Sequence, residues 1–253
     1  MEIGLLRRAR IATQAFSDIA NWREVLPRAA SGESVTEIRL RDGSIITASP
    51  ENALWAHFSD IWYHLSYTRH CEIPRDALVV DIGANVGVFS LFAARHARLV
   101  YALEPASSNF FRLVSSVSHV KNVVPLNLAC GAQDGRGVLD LSINPVSFSL
   151  LTSGSPGKQE SVEVVTLGTL FERFNITGCD FLKLDCEGSE FDIILDSDLS
   201  LWRRVSRIVM EYHDHLSERF SHRDLLQKLD KVGFHTIAYN ANGTYGMIAA
   251  VRY

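Results

Sequence analysis

The residues of this chain equipped for chemistry are carboxylates that close apolar runs. The first run is Val79-Val80-Asp81-Ile82-Gly83-Ala84-Asn85-Val86-Gly87, and the amphipathic segment Val88 to Arg95 follows it. Strand, glycine turn and helix make the first unit of a Rossmann-like fold, whose turn lets backbone approach a nucleotide-like ligand at the helix start. The spacing is Asp-x-Gly-x-x-x-Gly, with Asn85 where a dinucleotide-binding turn has its middle glycine. No Gly-Lys-Ser/Thr follows, so it is not a Walker loop. Asp81 is unfavourable beside a diphosphate and suits an ammonium or sulfonium group. A second apolar run, Leu99 to Leu103, ends at Glu104-Pro105. A carboxylate there can accept both hydroxyls of a ribose. Together these features favour S-adenosylmethionine over NAD.

A second constellation lies about a hundred residues on. Asp180-Phe181-Leu182-Lys183-Leu184-Asp185 reads as a strand, and Cys186-Glu187-Gly188-Ser189-Glu190 follows it. The carboxyl ends of strands line the ligand crevice of an open α/β sheet, so Asp185 should face the same cleft as Asp81 and Glu104. The next strand ends at Glu211-Tyr212-His213-Asp214-His215. Transfer from such a donor needs an acceptor aligned with it and, where the acceptor gives up a proton, a group to take it. Asp185, Glu187 and His213 are the candidate catalytic residues, with Glu211 orienting, and Glu211 and His215 are placed beside the substrate. Glu187 and Glu190 have a plainer explanation as acids at a helix N-terminus, and Lys183 as a structural ion-pair partner. Oxygens and an imidazole at adjacent strand ends could also hold Mg²⁺. Metal-free chemistry is favoured, and no metal ligand is assigned.

Composition narrows the setting. With 253 residues and 47% hydrophobic content, the chain can bury one full core and carry an N-terminal extension. Its net charge of -4 gives no field that attracts nucleic acid. Cys71, Cys130, Cys179 and Cys186 form no C-x-x-C pair, which fits a reducing cytoplasm better than disulfides or zinc. Arg7, Arg8 and Arg10 precede no sustained apolar region, so no secretory signal is expected. No apolar stretch approaches the roughly 20 residues that span a bilayer.

The elements that must position these residues follow from periodicity. Ile3 to Ala30 reads as helix broken near Pro27. Val35 to Leu40 and Ser44 to Ala48 alternate around Asp42-Gly43 as a hairpin, and Asn52 to Arg69 has an aromatic stripe at helical spacing. This part, residues 1–74, is expected to cap an S-adenosylmethionine-binding domain at 75–253. In that domain, strands are expected at Leu78 to Asp81, Leu99 to Leu103, Val123 to Ala129, Asp180 to Asp185 and Arg207 to Glu211. Val138 to Leu141 and Val162 to Val165 read as paired strands, and Thr169 to Phe174 and His222 to Val232 as helices. His235 to Tyr239 and Tyr245 to Val251 flank Asn242-Gly243 as a closing antiparallel hairpin. The fold class is α/β, a mostly parallel seven-stranded sheet of the methyltransferase type closed by that hairpin.

On Val80 to Gly87, Ala102 to Pro105, Val165-Thr166-Leu167 and Asp180 to Glu190, the chain resembles the FkbM family of S-adenosylmethionine-dependent methyltransferases. The resemblance implies a class I methyltransferase fold and O-methylation of a hydroxyl on a sugar, polyketide or other secondary metabolite. Carried over, Gly83, Ala84, Asn85, Val86 and Gly87 would hug the methionine portion. Glu104, with Pro105 beside it, would hold the ribose, and Ala129 and Cys130 would lie near adenine. Asp81 and Asp185 complete the cofactor set, Asp185 near the donor amine and methyl. Gly168 departs from the pattern, where the family commonly has Asp. The expected partner is a small-molecule or glycan substrate. A homodimer through the aromatics of Trp55 to Trp62 is conceivable. The acceptor pocket would be made by the cap and the Ser147 to Lys158 loop. Alternatives are a non-catalytic binding or scaffold protein and an N-methyltransferase, though the Pro-Pro-Tyr/Phe signature of nucleic-acid enzymes is missing after Asp185.

Overall fold

The structure is a computed structural model, and it describes residues 2–140 and 159–253. The N-terminal part comprises α1 (Glu2–Asp18), α2 (Trp22–Ser31), the hairpin β1 (Glu37–Arg39) and β2 (Ile45–Thr47), and α3 (Leu54–Trp62). The helical break falls at Ile19 to Asn21, and Pro27 sits inside α2. Pairing with the hairpin decides this. Ala20 N–H donates to Arg39 O at 2.7 Å, and the Asn21 side chain binds Arg39 N–H at 2.9 Å. The aromatic segment is helical only to Trp62. Leu65 adopts a left-handed φ of 56°, which ends regular structure and lets Tyr67 leave the helix axis.

The rest alternates strands and helices. In chain order these are β3 (Ala77–Ile82), α4 (Val88–Ala94), β4 (Ala97–Leu103), α5 (Ser107–Val117), β5 (Val123–Leu126), β6 (Ala129–Cys130), β7 (Gly135–Asp140) and β8 (Gln159–Val165). Then come α6 (Leu167–Arg173), β9 (Phe181–Leu184), α7 (Ser189–Asp196), β10 (Arg207–His213), α8 (His222–Lys231), β11 (His235–Asn242) and β12 (Tyr245–Val251). The main sheet has seven strands in the order β11-β12-β10-β9-β3-β4-β5. β10, β9, β3, β4 and β5 run parallel, and β12 pairs antiparallel to both β10 and β11. The expected third strand splits. β5 stops at Leu126, and β6 joins a separate three-stranded sheet with β7 and β8. Asn127 makes the corner, its amide donating to the carbonyls of Glu104 and Pro105 at 2.9 Å each.

Strand alternation sorts side chains onto two faces. Leu78, Val80, Leu182, Leu184, Ile208 and Met210 belong to one core with α6, α7 and α8. Val79, Phe181 and Val209 belong to the other, which runs without interruption into Ile19, Ile38, Phe58 and Trp62 of the N-terminal part. Phe58 stacks on Trp62 at 4.8 Å, and Trp62 meets Phe92 of α4 at 5.8 Å. These rings pack within the chain, while Trp55 and Ile61 of the same helix are half-buried. No helix of the described residues is long and apolar enough to cross a membrane. The Ser147 to Lys158 loop and Leu141 lie outside the described residues.

Candidate active site

The parallel register sets Asp81 beside Lys183 on neighbouring strands β3 and β9. Both are buried. Lys183 Nζ lies 3.1 Å from Asp81 Oδ1 and donates to Gly83 O at 2.8 Å, while Ser90 Oγ donates to Asp81 Oδ2 at 2.6 Å. Burial works to lower the Lys183 pKa, but Asp81 and Asp185 outweigh it and the net shift is upward. Asp81 thus stands behind the glycine turn as the counter-ion of Lys183, and it does not line the cleft. Val86 and Gly87 also stand back. Val86 is buried in the core, and a Cβ on Gly87 would come within 2.9 Å of Leu113 Cδ1 on α5. Gly87 therefore serves helix packing.

Gly83 is required by a close approach. Its φ is 80°, and a Cβ there would come 1.8 Å from the carbonyl oxygen of Asp185. The loops after β3 and β9 touch at this point, with Asp185 N–H donating to Ile82 O at 3.1 Å. Beyond it opens a cavity of about 380 Å³. Gly83, Ala84, Asn85, Glu104, Pro105, Ala129, Cys130 and Asp185 all line it, and so do Glu187, Glu211 and His213. Asn85 holds a left-handed φ of 51°, and its Oδ1 is buried with no hydrogen-bond partner. Glu104 accepts the Asn85 N–H at 2.9 Å and the Ala106 N–H at 3.0 Å, which fixes the turn to the end of β4. Burial pushes the Glu104 pKa up to about 7 against these bonds.

The other end of the cavity is acidic. Tyr67, reaching from the cap, donates to Asp185 Oδ2 at 2.6 Å. Glu190 is fully buried at the start of α7. One oxygen accepts the Gly188 N–H at 2.8 Å, and the other receives the His213 N–H at 2.8 Å with ring Nδ1 at 3.0 Å. The second ring nitrogen, Nε2, lies 3.4 Å from Glu187 Oε2. Burial would lower the His213 pKa, but the bond and charge of Glu190, then Glu187 and Asp185, carry it up to about 9. Glu211 is raised to about 7, chiefly by burial and next by Asp185. One ligand atom each of Asp185, Glu211 and His213 falls within 4.8 Å of the others, a spacing that a cation could span. His215 is exposed, touching the His213 ring at a centroid distance of 5.9 Å, and does not line the cavity.

Two contributors escaped the sequence reading, Tyr67 and His57. Both come from the cap, from the Asn52 to Arg69 segment but off its aromatic stripe. Lys183 and Glu190 were visible but had structural explanations, and both act through neighbours. Near Gly168 a carboxylate comes from another element. Asp134 accepts the Thr166 N–H and the Thr169 hydroxyl at 2.7 Å each, supplying a carboxylate to the N-terminus of α6.

A parallel sheet whose seventh strand inserts antiparallel beside the fifth, with the cavity at the carboxyl ends of β3, β4 and β9, defines a class I methyltransferase fold. The archaeal fibrillarin pre-rRNA processing protein of Methanococcus jannaschii has the same fold, with a TM-score of 0.50 and 13% identity over 85% of this chain and 93% of that one. Residues 81–236 match the family described as the methyltransferase FkbM domain, and the chain belongs to that family. It is 27% identical over 218 residues to the 31-O-demethyl-FK506 methyltransferase FkbM of Streptomyces tacrolimicus, covering 71% of this chain and 82% of that protein. It is 25% identical over 219 residues to Methyltransferase 1 of Beauveria bassiana, covering 76% and 88%.

Proposed function

We propose that the protein transfers a methyl group from S-adenosylmethionine to a hydroxyl oxygen of a small molecule or glycan, of polyketide or sugar type. The observation that carries this is the cradle between Gly83 and Glu104, where the buried Asn85 Oδ1 lacks a partner. An orphaned acceptor at a cavity-lining turn calls for a donor from a bound molecule. Each Glu104 oxygen holds one backbone N–H and keeps a lone pair for a ribose hydroxyl. Ala129 and Cys130 would face the adenine, and Gly83 to Asn85 with Asp185 would hold the amino-acid end. When bound, S-adenosylmethionine supplies a methyl group already activated by its sulfonium. The oxygen acceptor is supported by the relative from Streptomyces tacrolimicus, whose name places its chemistry on 31-O-demethyl-FK506.

The chain's own residues then have a proton to manage. Glu211, with a pKa near neutrality, takes the proton released by the acceptor hydroxyl. His213, an imidazolium at that pH, keeps charge balance beside it and is oriented by Glu190. Asp185 is fixed by Tyr67 at the junction of donor and acceptor. The test is calorimetric titration with S-adenosylmethionine and S-adenosylhomocysteine, then transfer of a labelled methyl group to hydroxylated acceptors. Micromolar binding and label recovered as an alkali-stable ether are expected. Absence of binding overturns the proposal, and label found only in amines overturns its oxygen specificity.

A further inference from the structure

A cavity of about 290 Å³ lies between α1 and the turn that follows α3. Arg10 and Gln14 line it from α1, and Tyr63, His64 and Arg69 from the turn. It shares no lining residue with the cavity at the strand ends. Three buried polar atoms of these residues have no hydrogen-bond partner: Gln14 Oε1, Tyr63 OH and His64 Nε2. Buried polar groups are ordinarily paired, so three orphans around one cavity point to a guest. The space is roomier than a single buried water needs.

The three atoms set what that guest must offer. Tyr63 is 6% exposed, its ring held edge-on against Phe58 at 5.6 Å. Burial, and next the charge of Asp18, raise its pKa, so the phenol keeps its proton and can donate. His64 Nδ1 lies 3.5 Å from Asp60 Oδ1, which holds the proton there and makes Nε2 an acceptor in the neutral ring. Gln14 Oε1 can only accept. Arg69 gives Nε and Nη2 to His64 O at 3.2 and 2.6 Å, which orders the guanidinium and leaves Nη1 uncommitted. Arg10 adds a second positive charge, and no carboxylate is among the described lining residues. The guest must therefore be an anion that also carries a proton to donate. Carboxylate and sulfate have none to give at neutral pH, and a neutral alcohol leaves two guanidiniums unanswered. A phosphoryl group with a P–OH meets both demands.

We propose that this cavity is a binding site for a hydrogen phosphate group, free or as a monoester, separate from the cavity at the strand ends. The test is calorimetry on the full chain with inorganic phosphate, methyl phosphate and sulfate at constant ionic strength. It is run at about pH 6, where a monoester keeps about half of its P–OH. Phosphate is expected to bind at least tenfold more tightly than sulfate, which has its tetrahedral shape but no proton. Methyl phosphate bound at least as tightly as phosphate marks a monoester as the natural form, and weaker binding marks the free ion. Arg10→Gln alters an exposed residue, and Tyr63→Phe removes a hydroxyl with no protein bond to lose, so both variants should fold. Each is expected to weaken phosphate binding fivefold or more. Equal binding of sulfate and phosphate, or undiminished phosphate binding in either folded variant, overturns the site. No binding of either phosphate compound overturns it too, and leaves the three polar atoms to water.

Discussion

Glu211 and His213 stand two residues apart on β10, and their surroundings raise both pKa values, Glu211 to near neutrality and His213 well above it. Burial and Asp185 raise Glu211 to about 7, and Glu190 with Glu187 raises His213 to about 9 against its own burial. Activity should therefore climb as Glu211 loses its proton near pH 7 and fall as His213 loses its own near pH 9. A pH profile of kcat/KM checks both limbs. Glu211→Gln should lower kcat by about 10²–10⁴-fold, the usual contribution of a general base, and a kcat within threefold of the parent would remove Glu211 from that role. Glu190→Gln keeps the shape while weakening the charge beside Nδ1, so the alkaline limb should move to lower pH. If it stays in place, the limb belongs to another group. Exhaustive chelation should leave turnover unchanged. Activity lost to chelation and restored by Mg²⁺ would put a cation among Asp185, Glu211 and His213.

At the scale of elements, the site depends on two strand-end loops that touch. Gly83 and Asp185 approach so closely that any side chain at Gly83 meets carbonyl oxygen, in a backbone conformation that already favours glycine. Gly83→Ala should cost more than about 2 kcal/mol of stability, whereas Gly243→Ala, with open space around its Cβ, should cost only the strain of its φ. Urea unfolding of the pair decides whether the close approach or the conformation dominates. The same two loops mark what could be read from the chain. Asp81, Gly83, Glu104 and Asp185 were legible because each closes an apolar run, a local pattern. The roles of Asp81 and Gly87 were not, because ion pairing across β3 and β9 and contact between α4 and α5 are set by register and packing. Likewise the end of the third strand was hidden by the continuing apolar pattern at Leu128 and Ala129, which Asn127 interrupts with two bonds to the Glu104–Pro105 turn. Tyr67 reaches Asp185 across 118 residues, a contact with no local signature.

Over the whole molecule, the cap and the main sheet share one core, so the cleft is built into the main hydrophobic body and its charges bear on overall stability. Glu104, Glu211 and His213 are all raised, the two acids from 4.5 to about 7 and the histidine from 6.5 to about 9. A raised pKa means that the folded form binds the proton more tightly than the unfolded chain. Each group's contribution is then complete below its unfolded pKa and is lost as pH rises through the folded one. The site should therefore withdraw stability in two stages, between pH 4.5 and about 7 from the acids and between pH 6.5 and about 9 from His213. Glu211→Gln removes a charge that the folded protein holds at a disadvantage beside Asp185. At pH 8 the variant should be more stable than the parent by on the order of 1–2 kcal/mol, and at pH 4 the two should coincide. Thermal unfolding across that range, set beside the activity of the same variant, measures how far this cleft trades stability for a base poised near neutrality. Equal stability at pH 8 would show that Glu211 is solvated well enough to ionise freely, and would remove the physical basis for its role.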